Sequence, residues 1–196
     1  MPKIVDKLQK RKTIAKSTCS LFIEKGFVNI SISEIAKVAG IGKGTIYEYF
    51  KNKEDIIFEL MWCLQEDYDP KLEENLSKDV DVVQKVIYLF DIFFSENETI
   101  QTQRKIYREF LAIYLNNPTP EIIEYHTNLK EKYSIILTNI LNNEIEKGEL
   151  KKEALLFIPS IFATVEGFFI ANNSKKRILD YFDNLFLLLK TKKELV

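Results

Sequence analysis

The sequence has few of the residues that metal sites and disulfide frameworks require. Its 196 residues include two cysteines, Cys19 and Cys63, and one histidine, His126. Two cysteines are too few for a disulfide framework, so we expect reduced, buried thiols and a cytoplasmic protein. A single histidine without further His or Cys ligands nearby predicts no metal site, and we predict no cofactor.

Long apolar runs and catalytic motifs are also missing. No uninterrupted apolar stretch approaches the roughly 20 residues that a membrane helix needs, so we expect no membrane association. The charged N-terminus, MPKIVDKLQKRK, is not followed by the apolar core of a signal peptide. The sequence contains no nucleophile–base pattern, Gly-rich phosphate loop or carboxylate array, which argues against an enzyme.

Helical periodicity is what the sequence has in abundance. Apolar residues recur at three- and four-residue spacing from end to end, without the alternation that is typical of strands. The pattern predicts an all-α protein of about nine helices. The clearest boundaries are a first helix over 4–25, a helix from Asn52 to a stop or kink at Pro70, a long helix from Pro120 to Gly148, and two apolar helices over 153–171 and 174–192 joined by a turn at Asn172 and Asn173.

Residues 31–53, SISEIAKVAGIGKGTIYEYFKNK, predict two short helices joined by a tight turn. Ser31 or Ser33 can cap the first helix, and Gly40 can end it in a left-handed conformation. The second helix would present polar and aromatic side chains on its outward surface and at its start. Because such a helix fits the major groove of DNA, the segment predicts a helix-turn-helix surface.

Basic charge is concentrated at the same end of the chain. Residues 1–53 contain eleven Lys or Arg against four Asp or Glu, a net charge of +7, whereas the whole chain carries −1. Residues 54–196 therefore carry −8. This asymmetry favours a phosphate-binding surface near the N-terminus. Lys10, Arg11 and Lys12 either contact phosphates or form a solvated basic face, and the sequence leaves both interpretations open.

The helix-turn-helix segment closely resembles the DNA-binding motif of the tetracycline-repressor (TetR) family of bacterial transcriptional regulators. The residues that match the family pattern in place are Ser31, Ile35, Ala36, Ala39, Gly40, Gly44, Thr45, Tyr47, Tyr49, Phe50 and Lys53. Two positions depart from it. Gly42 replaces a common serine and removes a side-chain cap, while Glu48 replaces a common His or Tyr and would either accept from a cytosine amino group or repel the DNA backbone.

The resemblance implies a three-helix DNA-binding domain over residues 1–53, followed by a larger helical domain over 54–196 that binds an effector and dimerises. It implies a homodimeric repressor that a small apolar or aromatic molecule releases from a palindromic operator. A helical enzyme, or a protein-interaction module that does not bind DNA, is the alternative. The candidate DNA-binding residues are Ser31, Ser33, Lys43, Gly44, Thr45, Tyr47, Glu48, Tyr49 and Lys53.

Two further sets of candidates lie in the second half of the chain. Aromatic and polar side chains that could line an effector cavity are Phe94, Tyr107, Phe110, Tyr114, Tyr125, His126, Tyr133, Phe162, Glu166 and Phe169. Aromatic residues at helical spacing are also what an ordinary core contains, so each has a plain packing alternative. The last two helices are apolar on too many sides for one chain to cover, which predicts a dimer interface. Its candidate residues are Phe162, Val165, Gly167, Phe168, Ile178, Phe182, Leu185 and Phe186.

Overall fold

The computed structural model describes residues 2–116, 118–171 and 175–191. Across these ranges the chain is helical, and the β-structure in them is one isolated bridge between Leu150 and Lys190. The predicted all-α class is confirmed. The α-helices are α1 (Pro2–Ser17), α2 (Cys19–Lys25), α3 (Ile32–Val38), α4 (Lys43–Tyr49), α5 (Lys53–Leu76), α6 (Val82–Leu89), α7 (Glu98–Asn116), α8 (Pro120–Glu146), α9 (Ile158–Ile170) and α10 (Lys175–Leu189); short 3-10 helices cover Asp91–Phe93 and Lys152–Phe157.

The first predicted helix is divided in two at Thr18, so the described residues contain ten α-helices where the sequence predicted about nine. The Thr18 backbone N–H donates to the Ala15 carbonyl at 3.1 Å, three residues back, and the Thr18 hydroxyl donates to the same oxygen at 2.7 Å. Hydroxyl groups that bond to the preceding turn compete with the regular helical ladder. The break at this buried threonine follows from that competition.

Two prolines have different positions in their helices. Pro70 lies inside α5, which continues to Leu76, so of the two predicted alternatives, a stop or a kink, the stop is wrong. Pro159 lies in the first turn of α9, where its missing N–H removes no helical bond. In the sequence Pro159 indicates either a kink in the helix predicted over 153–171 or a later start, and the structure has the later start, at Ile158. The predicted turn at Asn172 and Asn173 is outside the described residues.

Several predicted helix ends are confirmed. The Asn52 side chain accepts from the Asp55 backbone N–H at 2.8 Å and caps α5. Gly26, Gly40 and Gly148 have φ between 67° and 74°, the left-handed region in which glycine is favoured, and each follows the end of a helix. These ends are fixed by residues close in sequence, which is why local reasoning finds them.

The chain packs into two compact units. Unit 1 comprises Met1–Pro70 and Asn97–Ile123, and unit 2 comprises Lys71–Glu96 and Glu124–Val196. Unit 1 thus contains most of α5 and all of α7 in addition to the four N-terminal helices. The predicted domains, 1–53 and 54–196, were defined by function, whereas the units are defined by packing. The functional boundary at residue 53 therefore stays a prediction.

The segment Lys152–Ile170 bears on the expectation of no membrane association, which stays a prediction. By length and composition alone it could cross a membrane, with a mean hydropathy of 1.6, although the sequence showed no long uninterrupted apolar run. Lys152 and Glu153 at its start and Glu166 near its end interrupt the run. Within the chain, 28% of this stretch is buried. The segment is apolar and mostly exposed, so packing against a second apolar surface would stabilise it.

Candidate DNA-binding surface

The α3–α4 pair is built from local caps and a small shared core. Ser31 caps α3 in a capping box: its hydroxyl accepts from the Glu34 N–H at 3.2 Å, and the Glu34 carboxylate accepts from the Ser31 N–H at 2.9 Å. Gly40 turns the chain with φ +67°, and the Ile41 N–H donates to the Ala36 carbonyl at 3.0 Å. The side chains of the pair that are buried in unit 1 are Ile35, Ala36, Ile46 and Phe50.

The outward face of α4 is free of this core. Lys43, Gly44 and Glu48 are exposed, and the Tyr47 side chain is 53% exposed. Thr45 and Tyr49 are half-buried. Gly42 begins the helix in an extended conformation without a side-chain cap, which agrees with the loss of the usual serine. A large exposed aromatic beside an exposed lysine is the kind of surface that nucleic-acid phosphates and base edges can contact.

A shallow cleft of about 350 Å³ lies at the end of α4. The residues that line it are Arg11, Tyr47, Glu48, Tyr49, Phe50, Lys51 and Asp55. The Lys51 backbone N–H donates to the Asp55 carboxylate at 2.9 Å, which fixes the turn between α4 and α5. Both basic and acidic side chains line the cleft, so it is not a phosphate-binding site of the kind that basic residues alone would form.

Ser31 and Ser33 lie beside this face, and both are exposed. The Ser31 hydroxyl is engaged in the capping box, so its contact with DNA stays a prediction. The Lys25 ammonium lies 2.6 Å from the Glu34 carboxylate. That lysine, together with the bonds from Ser31, lowers the pKa of Glu34 to about 2.

Because the pKa of Glu34 is lowered on folding, we expect the free energy of unfolding to decrease as the pH falls. The carboxyl has its ordinary pKa of 4.5 when unfolded and about 2 when folded, so its contribution is present above pH 4.5 and is lost as the pH falls towards 2. Urea unfolding at a series of pH values should show Glu34→Gln to be less stable than the native chain at pH 6, with the difference shrinking towards pH 2. Glu24→Gln, an exposed glutamate on α2, is the control and should change little at any pH.

Lys53 has a structural role that its sequence position did not reveal. Its ammonium donates to the Phe27 carbonyl at 2.6 Å and to the Ile30 carbonyl at 2.9 Å. It also lies 4.3 Å from the centre of the Phe27 ring. Burial lowers the pKa of Lys53. The lysine thus ties the start of α5 to the segment between α2 and α3, and its predicted contact with a phosphate stays a prediction.

Arg11 is a residue whose role the sequence left open between two alternatives. Its guanidinium Nε lies 2.5 Å from the Glu59 carboxylate on α5, and its Nη1 donates to the Tyr49 carbonyl at the end of α4. Its charged group also lies 4.4 Å from the Phe50 ring centre. Arg11 therefore holds the C-terminal end of α4, with its side chain still 28% exposed. The Tyr49 and Glu59 partners are 38 and 48 residues away, so no local signal could have found this role.

The predicted effector residues are divided between the two units. In unit 1, Tyr107 and Phe110 are buried and Tyr114 is half-buried. Phe110 packs edge-on against Phe58 with 6.2 Å between ring centres, so it belongs to the packing of α7 on α5. The predicted effector residues in unit 2 are Phe94, Tyr125, His126, Tyr133, Phe162, Glu166 and Phe169.

The unit 2 candidates form a polar group beside packed rings. The His126 ring nitrogen Nε2 lies 2.9 Å from one Glu166 carboxylate oxygen, and Lys130 lies 3.8 Å from the other. Burial raises the pKa of the Tyr125 hydroxyl. Phe90 packs against Tyr133 at 6.4 Å and Phe162 at 5.6 Å, and Phe93 packs against Phe169 at 5.1 Å. The rings pack on one another, as core residues do, and their contact with an effector stays a prediction.

The predicted interface residues have a mixed outcome in α9 and α10. Buried against their own chain are Phe162, Val165, Ile178, Phe182, Leu185 and Phe186, whereas Phe168 is half-buried and Gly167 is exposed. The large apolar side chains that the two helices and the preceding 3-10 helix expose are Leu156, Phe157, Ile170, Leu187 and Leu188. α9 is apolar nearly all round, so its sequence does not reveal which side faces inward, whereas the buried residues of α10 recur at three- and four-residue spacing between charged ones.

Known proteins resemble this chain over its N-terminal helices and over most of its length. Residues 14–60 match the family model described as bacterial regulatory proteins, tetR family. The fatty acid metabolism regulator protein of Bacillus subtilis (strain 168) is 30% identical over 167 residues, which cover 82% of this chain and 81% of that protein.

Solved structures share the fold. A transcriptional regulator from Saccharomonospora viridis in complex with choline superposes with a TM-score of 0.75 at 14% identity, covering 94% of this chain and 99% of that one. A TetR transcriptional regulator from Chloroflexus aurantiacus J-10-fl has a TM-score of 0.72 at 20% identity, covering 97% and 98%. With its helix-turn-helix exposed and a relative this similar over most of its length, the chain is a DNA-binding transcriptional regulator that belongs to the tetR family of bacterial regulatory proteins.

Proposed function

We propose that the protein is a cytoplasmic homodimeric repressor that binds a palindromic operator and leaves it when a small apolar or aromatic molecule binds. In this proposal residues 1–53 contact DNA, and residues 54–196 bind the effector and dimerise. The observation that carries it is the outward face of α4, where Lys43 and Tyr47 are exposed at the basic end of the chain. Since its relatives are transcriptional regulators, we propose no enzymatic activity.

The side chains of α4 divide into two roles. Lys43, Tyr47 and Tyr49 are proposed to contact phosphates, which positions the protein without selecting a sequence. Thr45 and Glu48 are proposed to contact base edges, Glu48 as an acceptor for a cytosine amino group. Gly44 has no atom within 4 Å of where a Cβ would lie, so it leaves open space at the surface for a DNA backbone. Ser31, Ser33 and Lys53 complete the proposed DNA-binding set.

We expect substitutions in the two groups to give different binding profiles. Thr45→Ala should alter the preference at one or two base pairs by about 5- to 30-fold, because a mismatched base pair typically costs about 1 to 2 kcal/mol. Tyr47→Ala should weaken binding to all duplexes alike, and Lys43→Ala should reduce the slope of log affinity against log salt by about 0.9. Fluorescence anisotropy on duplexes selected from random sequence measures all three.

Two control variants accompany this experiment. Thr45→Ser retains the hydroxyl and should retain the base preference. Lys71→Ala removes an exposed lysine from a position that the proposal assigns no DNA contact, and it should leave the salt slope unchanged. An unaltered base preference in Thr45→Ala would show that the recognition residues on α4 are others. Failure of the native dimer to bind any selected duplex would remove the proposal itself.

The dimer proposal is supported by the low burial of the segment Lys152–Ile170 and by the side chains that this segment exposes. Leu156 is 76% exposed and Ile170 is 61% exposed, at the two ends of the segment Lys152–Ile170. In such a dimer the two α4 helices would enter successive major grooves about 34 to 36 Å apart, which is why we expect a palindromic operator.

The effector proposal is supported by the apolar and aromatic side chains gathered in unit 2, and by the names of two similar proteins. One is a fatty acid metabolism regulator, and another was solved with choline. We propose an apolar molecule, because the candidate side chains are mainly rings. Palmitate titrated into the protein–operator complex should release the DNA, with choline as the comparison. Release by choline alone would exclude an apolar effector.

A further inference from the structure

Glu109, in the middle of α7, holds the segment that leads into the helix-turn-helix. Its carboxylate oxygen Oε2 accepts a hydrogen bond from the Phe27 backbone N–H at 2.6 Å. The two residues are 82 positions apart in sequence. A backbone N–H that bonds to a carboxylate makes a charge-assisted bond, which is about twice as strong as a neutral one. The contact therefore links α7 to the residue that follows the end of α2.

The chain geometry at Gly26 fits this contact closely. Gly26 has φ +73°, a left-handed conformation that ends α2 and presents the next N–H to α7. A Cβ built on Gly26 would lie 3.3 Å from Glu109 Oε2, tighter than an ordinary van der Waals contact. The glycine thus serves two purposes at once, since it supplies the backbone conformation and leaves room for the carboxylate.

Phe27 is also held from the side of α5. Its carbonyl accepts from the Lys53 ammonium at 2.6 Å, and its ring stacks against Phe22 with 5.9 Å between centres. A single residue is therefore bonded through its N–H to α7 and through its C=O to the start of α5. Because α3 begins five residues after Phe27, this residue sets where the DNA-binding pair begins.

A displacement of α7, the helix that carries Glu109, would reach the segment before the helix-turn-helix. The chain enters α7 from residues of unit 2 and returns to unit 2 after Ile123, although α7 itself packs in unit 1. It is fixed to α5 by the Gln103 side-chain amide, which donates to the Leu64 carbonyl at 3.2 Å, and by the Phe110–Phe58 contact. Any shift of α7 would therefore act on Phe27 through Glu109.

We infer that Glu109 is a positioning residue for operator binding: by bonding to the Phe27 amide, it fixes α3 and α4 relative to α7. The inference rests on the proposed homodimer, since two DNA-binding pairs must then be held at one separation. Without the bond between Glu109 and the Phe27 amide, the α3–α4 pair of each subunit would move more freely. The dimer would then lose affinity for its own half-site spacing and tolerate other spacings better.

The test compares Glu109→Ala and Glu109→Gln with the native chain. Each is titrated against a selected operator and against versions with one or two base pairs inserted between or removed from its half-sites. Glu109→Ala should bind the native spacing about tenfold more weakly, the loss that about 1.4 kcal/mol produces. The ratio of its affinity for the native spacing to its affinity for the altered spacings should fall towards one. Glu109→Gln keeps an acceptor oxygen and should retain most of the preference.

Two further measurements separate positioning from loss of fold. Hydrogen exchange at the Phe27 amide should be at least about tenfold faster in Glu109→Ala, while amides in the core of α5 keep their protection. Glu131→Ala, which removes an exposed glutamate from α8, is the matched control and should match the native chain in every measurement. Sedimentation must show that all variants have the same oligomeric state as the native chain.

The outcomes are distinct. Equal weakening of Glu109→Ala at every spacing would mean that the residue only stabilises the fold, and the inference would be wrong. Unchanged affinity and spacing preference would overturn it as well. A native chain that is monomeric, or that binds no duplex, would overturn the proposed function and this inference with it. A native dimer that binds its operator, together with a Glu109→Ala variant that keeps the spacing preference, would overturn the inference alone.

Discussion

Ala163→Glu is expected to give a folded protein that no longer dimerises and that binds its operator at least about 100-fold more weakly. Linked binding events commonly gain about 10² to 10⁴ in affinity, so a monomer that contacts one half-site loses that gain. Ala163 is exposed on α9, and so are Ser160 and Gly167 on the same helix. No atom lies within 4 Å of where a Cβ on Gly167 would be placed.

Dimerisation should be lost because the introduced carboxylate would be desolvated in the interface. Small side chains flanked by exposed apolar ones let two helices approach closely, and a glutamate in such a contact would have to lose its hydration without a partner. In the isolated chain the same glutamate would face water, so the fold should be retained. The side chain of Ala163 contributes little to the core of unit 2, which makes stability an independent readout.

The measurement combines sedimentation, circular dichroism and operator titration. Ala112→Glu is the matched control, because Ala112 is also an exposed alanine within a helix, α7. It should remain dimeric with native affinity. If Ala163→Glu stayed dimeric and bound its operator normally, the exposed face of α9 would not be the interface.

The second large effect is expected from Arg11→Ala, which should lower the free energy of unfolding by about 2 to 3 kcal/mol and weaken operator binding. The substitution leaves the Glu59 carboxylate, whose side chain is 14% exposed, without its cation. It also leaves the Tyr49 carbonyl at the end of α4 without this donor. Groups left unpaired in a partly buried position each cost about 1 to 3 kcal/mol, and solvent screening reduces the sum.

Operator binding should suffer because α4 has seven residues. Isolated helices of this length are not stable in water, so α4 depends on contacts with the rest of unit 1. Arg11 supplies two of these contacts, to the Tyr49 carbonyl and to the Phe50 ring that follows it, and its ion pair with Glu59 on α5 holds the guanidinium in place. Arg11→Lys should recover only part of the loss, because an ammonium lacks the planar donor geometry of a guanidinium.

Urea unfolding and anisotropy measure the two effects of Arg11→Ala. Lys10→Ala removes the neighbouring exposed lysine and should change stability by less than about 0.5 kcal/mol. A double-mutant cycle with Glu59→Gln isolates the part that belongs to the ion pair. Equal effects of Arg11→Ala and Lys10→Ala would show that the guanidinium contacts contribute little in solution.

The helix-turn-helix was predictable because its determinants are short-range. Ser31 caps a helix through a residue three positions away, Gly40 turns the chain at its own φ, and Asn52 caps α5 within one turn. The break at Thr18 was missed although it is also local, since it depends on hydroxyl bonds that periodicity does not report. The later start of α9 was left open by Pro159, which is compatible with either a kink or a first turn.

The amino-acid sequence by itself determined the helical class, the α3–α4 motif, the basic N-terminal end and the family, because these follow from neighbouring residues and composition. The tertiary structure alone decided that Arg11 holds α4, that Lys53 and Glu109 hold Phe27, and which sides of α9 and α10 are exposed. These features join residues 26 to 82 positions apart, or depend on how a nearly uniform apolar helix is rotated. Helical periodicity places an apolar residue on a face, but only packing determines what that face meets.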